Sequence, residues 1–164
     1  MALFVQCVVC CILFTLIIVP SVYKDPLNMI VSYPPAIIKR VESLPQYKDK
    51  IKKREEFHIK KKIFGVFFFV VVLSLIAYLS GCRGFVDTFK HVFVVFLVVN
   101  LYDLVVLDWG NFCHSKKLRI PGTEDMEKEY KNYLFHARGF MIGCVLGLIV
   151  ALMSGGLMQL ISVL

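Results

Sequence analysis

The sequence predicts an all-α integral membrane protein with four transmembrane helices and two amphipathic helices at the cytoplasmic interface. Hydrophobic residues form 58% of the 164 residues and charged residues only 19%, against about 25% charged residues in soluble domains. The apolar residues also lie in long runs, and a helix needs about 20 of them to cross a bilayer. This composition excludes a soluble globular enzyme, a disordered chain and a disulfide scaffold.

Four segments are predicted to cross the membrane, forming a single domain over residues 1–164. Residues 1–23, 63–82 and 139–164 contain no charged side chain. The first of them lacks the basic start of a signal peptide, so we expect a retained membrane helix. The remaining predicted span, residues 89–109, is the polar one. It contains Lys90, His91, Asn100, Asp103 and Asp108.

The distribution of Lys and Arg predicts the orientation. Residues 24–62 contain eleven of them and residues 110–138 contain six, while only Arg83 and Lys90 lie elsewhere. Cytoplasmic loops carry the excess of basic residues, so both long loops are expected in the cytoplasm. Both termini of this multi-pass cell-membrane protein are then on the opposite side. The net charge of +7 is expected to attract anionic lipid headgroups. We expect no nucleic-acid partner, because no basic and aromatic recognition motif accompanies the charge.

Each long loop contains a predicted amphipathic helix. Pro34 and Pro35 suit the start of a helix, and an apolar stripe follows them at helical spacing, consistent with a helix in the headgroup plane. In the other loop, Thr123 is a predicted N-cap before a second stripe. The two stripes are Ile37, Ile38, Val41 and Leu44, and Met126, Tyr130, Tyr133 and Leu134. The Lys-rich stretch before the second span either sets orientation or binds an acidic partner.

Small residues recur at every fourth position of the last predicted span. They are Gly139, Gly143, Gly147, Ala151 and Gly155. Such a ridge lets another helix approach closely, as is common in membranes. We predict that the ridge packs inside the four-helix bundle, and the alternative is that it forms a homodimer or a larger membrane complex.

Polar residues in and beside the third span form the candidate functional site. An ionisable group at membrane depth is costly unless it is paired or faces a cavity, which makes Asp103 a functional candidate. Asn100 lies three residues away on the same face. Asp108 lies five residues away and would point about 140° from Asp103 on an ideal α-helix, which argues against a carboxylate dyad. The candidate set is Asn100, Asp103, Asp108, His114, His136 and Arg138. Its members either bind a phosphate-bearing or metal-linked ligand or form an ordinary interfacial network with Lys116, Lys117 and Arg119.

Two functional hypotheses remain open. The chain has no nucleotide-binding glycine loop and no metalloprotease, hydrolase or CxxC motif, and its six cysteines show no zinc spacing. The sequence therefore predicts no metal site, and it identifies neither a catalytic residue nor a cofactor. The first hypothesis is a non-enzymatic module that binds or transports a small solute or a proton, or serves as a partner subunit, with Asp103 as its buried acid. The alternative is an interfacial enzyme acting on a lipid or lipid-linked substrate at the cytoplasmic leaflet.

The shape of the cavity around the candidate residues separates the two hypotheses. A polar path that reaches Asp103 from both sides favours transport, and a pocket open only to the inner leaflet favours lipid chemistry.

Overall fold

The computed structural model describes residues 3–163, and the side chains of all of these except 48, 49 and 52–63. Within this part of the chain every regular element is helical. The α-helices are α1 (Leu3–Lys24), α2 (Pro35–Ser43), α3 (Lys48–Leu79), α4 (Phe85–Tyr102), α5 (Glu127–Tyr130) and α6 (Tyr133–Val163). A π-helical segment, Asp103–Phe112, continues α4, and short 3-10 helices span Pro26–Ser32 and Lys116–Leu118.

Among the described residues, three helical stretches are long and apolar enough to cross a membrane. They are Leu3–Lys24, Phe85–Phe112 and Glu127–Val163. The apolar part of α3, Phe64–Leu79, is shorter. The chain is therefore an all-helical protein consistent with a multi-pass membrane protein, while the fourth crossing predicted at residues 63–82 stays a prediction.

The long helices pack around α4, which contacts α6 most extensively and also contacts α1 and α3. We call their shared cluster of buried side chains the membrane core. It consists of Cys7, Val70, Leu73, Ala77, Val92, Val95, Val150 and Ala151. A Cβ added at Gly143 would lie 2.3 Å from the Asn100 Oδ1, and one added at Gly147 would lie 2.5 Å from the Phe96 ring. Small residues at these positions of α6 therefore allow α4 to approach closely.

The two long loops fold together over one end of the helices, which we call the loop end, and form a second cluster that we call the loop cap. The cap consists of Val22, Leu27, Ile30, Tyr33, Ile37, Val41, Ile51, Phe112, Cys113, Leu118, Ile120 and Tyr130. Ile37 and Val41 on α2 have no exposed surface. The apolar face of α2 is thus covered by protein side chains. The sequence predicts instead that this face lies in the headgroup plane.

The second predicted amphipathic helix is broken in the structure. The helix α5 is a single turn that ends at Tyr130, and α6 begins only at Tyr133. Tyr130 is fully buried, whereas Leu134 is exposed. The residues before and after the break therefore do not form one continuous apolar face. The N-cap prediction for Thr123 is also wrong. Its Oγ1 instead donates to the Ile120 carbonyl at 2.7 Å and lies 2.7 Å from the Tyr130 hydroxyl.

The buried polar groups of the loop cap have partners. The Tyr33 hydroxyl donates to the Leu118 carbonyl at 3.1 Å, and the Ile120 N–H donates to the Tyr130 hydroxyl at 3.0 Å. Burial raises the pKa of Tyr33, which keeps its hydroxyl protonated as a donor. The Tyr33 ring also packs edge-on against Phe112, with 4.8 Å between the ring centroids. These contacts fix the first loop against the last turn of the π-helical segment.

Candidate functional site

The candidate site is built on the π-helical end of the polar span. In this segment each backbone hydrogen bond joins residues five apart instead of four. That repeat brings Asp103 and Asp108 onto one face, a turn apart, and both line the same cavity. The angle of about 140° expected from α-helical geometry is therefore wrong for this pair. π-Helical turns are rare and are frequent at functional sites.

Two residues explain how the chain tolerates this geometry. A Cβ added at Gly110 would lie only 3.3 Å from the Val105 carbonyl oxygen, so glycine suits the crowded turn. At the end of the segment, Arg119 donates to the carbonyls of Phe112 and Cys113 at 3.3 and 2.8 Å. These bonds supply donors for carbonyls that a helix end leaves without partners.

A cavity of about 630 Å³ lies between α1, the π-helical segment, α6 and the first loop. Apolar side chains of α1, such as Phe14 and Ile18, form one wall, and the loop residues 31–33 close the loop end. Five of the six predicted site residues line this cavity. They are Asn100, Asp103, Asp108, His136 and Arg138.

Asp108 and His136 form the central pair of the site. The Asp108 Oδ2 lies 3.0 Å from the His136 Nδ1, and the imidazole is 4% exposed. The ring packs edge-on against Phe112 and Phe135, with centroids 5.1 and 5.4 Å away. The second ring nitrogen, Nε2, is buried and has no hydrogen-bond partner among the described residues, although the Cys113 thiol lies beside the imidazole. The second ring nitrogen therefore lies inside the protein, next to the Cys113 thiol, and not on the surface of the cavity.

Asn100 and Asp103 differ in their partners. The Asn100 Nδ2 donates to the Phe140 carbonyl at 2.9 Å and approaches the Cys144 Sγ at 3.5 Å. Asn100 therefore joins α4 to α6 through a hydrogen bond between helices. The Asp103 carboxylate is half-buried and forms no hydrogen bond or ion pair within the described part of the chain. It is the acid of the cavity that has acceptor capacity left for a ligand.

The two remaining candidates lie at the edge of the site or outside it. Arg138 lines the cavity but is exposed, and it has no ion pair or hydrogen bond to any described residue. His114 lies outside the cavity, with its Nδ1 2.8 Å from the Trp109 carbonyl and its Nε2 3.4 Å from the Tyr133 hydroxyl. His114 is therefore not part of the group of cavity residues with which the sequence analysis placed it.

Sequence reasoning did not identify Tyr23 or the loop residues that line the cavity. The Tyr23 hydroxyl donates to the Asn111 Oδ1 at 2.8 Å and lies 3.1 Å from the Ser115 Oγ. This contact joins residues almost ninety positions apart, so no local pattern marks it. A tyrosine at the end of a span is ordinarily interpreted as an interface residue.

A smaller cavity of about 390 Å³ lies at the opposite end of the helices. It is lined by Asp87, Lys90 and His91 among others, and it shares no lining residue with the cavity around Asp103. The two cavities are thus separate, and the one around Asp103 belongs to the loop end. Among the described residues, no three His, Cys, Asp or Glu side chains are grouped closely enough to hold a metal ion.

Comparisons with protein-family models, with curated proteins and with solved structures give no match. The charged and titratable groups of the cavity include the Asp103 carboxylate, the Asp108–His136 pair and the Arg138 guanidinium, and its neutral polar lining includes Tyr23, Asn100 and Asn111. Such a set is able to accept a hydrogen bond, exchange a proton and bind an anion.

Proposed function

We propose that this chain is a multi-pass membrane protein that binds a small ligand in the cavity around Asp103. On this proposal it is a non-enzymatic binding or partner-subunit module. The separation of the two cavities argues against the transport alternative, because no polar path reaches Asp103 from both ends among the described residues. The observation that carries the proposal is the unpaired Asp103 carboxylate in a cavity of about 630 Å³. Pockets for small molecules measure about 300–1,000 Å³. A carboxylate at membrane depth is costly without a partner, and a ligand that donates a hydrogen bond would offset this cost.

The membrane topology belongs to the same proposal. We propose four crossings, with the apolar part of α3 as the second, and the loop cap on the cytoplasmic side. The support is the placement of 17 of the 19 Lys and Arg residues in residues 24–62 and 110–138. Both termini then lie outside, and the basic loops face anionic headgroups. A homodimer or a larger complex remains a prediction.

The test is to replace Asp103 with asparagine, which keeps the shape and removes the negative charge. Asp87→Asn, at the other end of the same helix, is the matched control. Mass spectrometry of the purified proteins should detect a ligand with the wild type and with Asp87→Asn, but not with Asp103→Asn. Equal thermal unfolding midpoints in detergent would show that all three proteins are folded. Retention of the same ligand at full occupancy by Asp103→Asn would contradict the proposal.

An interfacial enzyme is the second candidate, and the Asp108–His136 pair favours it. A carboxylate that orients an imidazole is one part of the arrangement that a histidine general base uses. Its substrate would be a lipid or lipid-linked molecule, since the cavity belongs to the loop end. Incubating the purified protein with its co-purified ligand separates the two candidates. An enzyme converts the ligand and loses this activity in His136→Gln, whereas a binding module leaves the ligand unchanged.

A further inference from the structure

We infer that the ligand is a single-chain amphiphile with an anionic head and a free hydroxyl group, which enters sideways from the bilayer between α1 and α6. The inference rests on the proposed function, because it names the class of ligand for the same cavity. Three observations support it. They are the apolar mouth of the cavity, the order of its polar groups along the membrane, and the free acceptor on Asp103.

The mouth of the cavity lies between two helices that make little contact with each other. The helix α4 packs against both α1 and α6, whereas the described residues of α1 and α6 make at most slight contact with each other. Phe14 and Ile18 line the cavity from α1, and Phe140 and Ile142 line it from α6. Ile142 is 64% exposed, and a Cβ added at Gly139 would meet no atom within 4 Å. The mouth is open and apolar, and it lies between helices that are long and apolar enough to cross a membrane. Such a mouth fits a hydrocarbon chain better than a water-soluble solute.

The polar groups have an order along the membrane. Asp108 pairs with His136 and Asn100 bonds to Phe140, so the backbones of Asp103 and Arg138 lie at a similar depth. Side chains of a helix tilt towards its N-terminus, and α4 and α6 run in opposite directions. The Arg138 side chain therefore leans towards the loop end and Asp103 towards the bilayer centre.

This order matches one kind of amphiphile. An anionic head, such as a phosphate, binds an unpaired guanidinium near the membrane surface. A hydroxyl between the head and the chain then donates to the deeper Asp103 carboxylate, and the chain leaves through the apolar mouth. A glycerophospholipid has a free hydroxyl at this position only when one acyl chain is missing. The ligand class is therefore a lysophospholipid or another single-chain hydroxylated amphiphile.

The experiment measures binding to the full chain in phosphatidylcholine nanodiscs by native mass spectrometry. Three probes are compared: lysophosphatidic acid, phosphatidic acid without a free hydroxyl, and glycerol 3-phosphate without a chain. We expect lysophosphatidic acid to bind, and phosphatidic acid to bind about tenfold more weakly, because a hydrogen bond to a charged group is lost. Glycerol 3-phosphate should not bind measurably. Equal binding of the two lipids would overturn the hydroxyl assignment, and equal binding of glycerol 3-phosphate would show a phosphate site without lipid entry.

The mouth is tested by Gly139→Trp, with Gly156→Trp as the matched control on the same helix. Both positions have open space around an added Cβ, but only Gly139 lines the cavity. Gly139→Trp should abolish lysophosphatidic acid binding, and Gly156→Trp should bind as wild type. If Gly139→Trp does not fold, Ile142→Trp on the same wall replaces it. Wild-type binding by the folded variant would overturn sideways entry.

Asp103→Asn separates this inference from the proposed function. The variant should lose the preference for lysophosphatidic acid over phosphatidic acid. If it loses the co-purified ligand while lysophosphatidic acid fails to bind the wild type, the ligand class is wrong and the proposed function stands. If it keeps the co-purified ligand, the proposed function itself fails.

Discussion

The loop cap and the membrane core are both apolar clusters of one chain, but they are built from different side chains. Tyr33, Tyr130 and Ile37 are among the largest fully buried side chains, and all three belong to the cap. The membrane core instead contains Val, Leu, Cys and Ala. Burial from water rewards large apolar side chains, whereas helices in lipid gain mainly from close approach over small residues. The difference lies in the buried aromatic residues, because Tyr33, Phe112 and Tyr130 are buried in the cap, while Phe89, Phe93 and Phe96 are only partly buried against the core.

The loop cap differs from the rest of the described chain in how its buried polar groups are satisfied. In the cap, the hydroxyls of Tyr33, Tyr130 and Thr123 all have hydrogen-bond partners. Outside the cap, the buried side-chain atoms without a partner among the described residues are the Gln6 Oε1, Ser74 Oγ, Thr88 Oγ1, His91 Nε2 and His136 Nε2. The residues that line the cavity around Asp103 contribute one of them, His136 Nε2, together with the half-buried Asp103 carboxylate.

The largest expected effect comes from truncating the loop cap. Ile37→Ala removes a side chain with no exposed surface and should lower the free energy of unfolding by about 2–5 kcal/mol. Ile38→Ala, at a half-buried neighbour, is the control and should cost less. The measurement is thermal or denaturant unfolding of both variants in the same detergent. If Ile37→Ala is as stable as wild type, α2 holds its apolar face in the headgroup plane and the cap is not a core.

Enlarging a small side chain should destabilise the membrane core. Gly143→Leu places side-chain atoms where the Asn100 amide lies, since a Cβ alone would be 2.3 Å from its Oδ1. Overpacking of this kind costs about 1–3 kcal/mol. Gly156→Leu is the matched control, because no atom lies within 4 Å of a Cβ there. The yield of monodisperse protein on size exclusion and its unfolding midpoint are compared. Equal behaviour of both variants would mean that α4 and α6 are not in close contact.

The sequence predicts the helical architecture and most of the site, because both follow from local signals. Uncharged runs mark the apolar helices, and the rule that ionisable groups in a membrane face a cavity selects Asp103. The end of the polar span is not predictable in the same way. Its π-helical turns contain Gly110 and end at carbonyls that Arg119 contacts, and neither feature is part of the hydrophobic pattern.

The loop cap is not predictable from the sequence for a different reason. An apolar stripe looks the same whether lipid or protein covers it, and the contact between Tyr33 and Leu118 joins residues 85 positions apart. The same limit applies to the partner of Asp108. The structure pairs Asp108 with His136 and not with Lys116, Lys117 or Arg119, and this depends on how the second loop turns back onto α6, which no local signal encodes.

A smaller effect is expected from removing one hydroxyl in the cap. Tyr130→Phe leaves the Ile120 N–H and the Thr123 hydroxyl without this buried partner. The expected loss is about 1–2 kcal/mol of unfolding free energy, in the range for buried groups that lose a hydrogen bond. Tyr133→Phe, at an exposed position, is the control. If the two variants are equally stable, the hydrogen bonds of the Tyr130 hydroxyl do not contribute measurably to the stability of the cap.

The smallest effect is expected at Glu124, on the surface of the cap, and it should depend on pH. The Glu124 carboxylate accepts from the Gly122 N–H at 2.9 Å, and this bond lowers the pKa of Glu124 from its ordinary value of 4.5. An acid with a lowered folded-state pKa adds stability above its unfolded pKa, and this stability is lost as the pH falls through the folded pKa.

Glu124→Gln should therefore unfold at a slightly lower temperature than wild type at pH 7, and the difference should shrink as the pH falls through the lowered folded-state pKa of Glu124. Because the side chain is exposed, solvent screening keeps the difference small. Gly143→Leu is the reference, because its packing defect does not involve a titrating group. Its difference in unfolding temperature from wild type should persist over the same pH range. A Glu124→Gln difference that stays constant with pH would show that the carboxylate bond to Gly122 does not stabilise the turn.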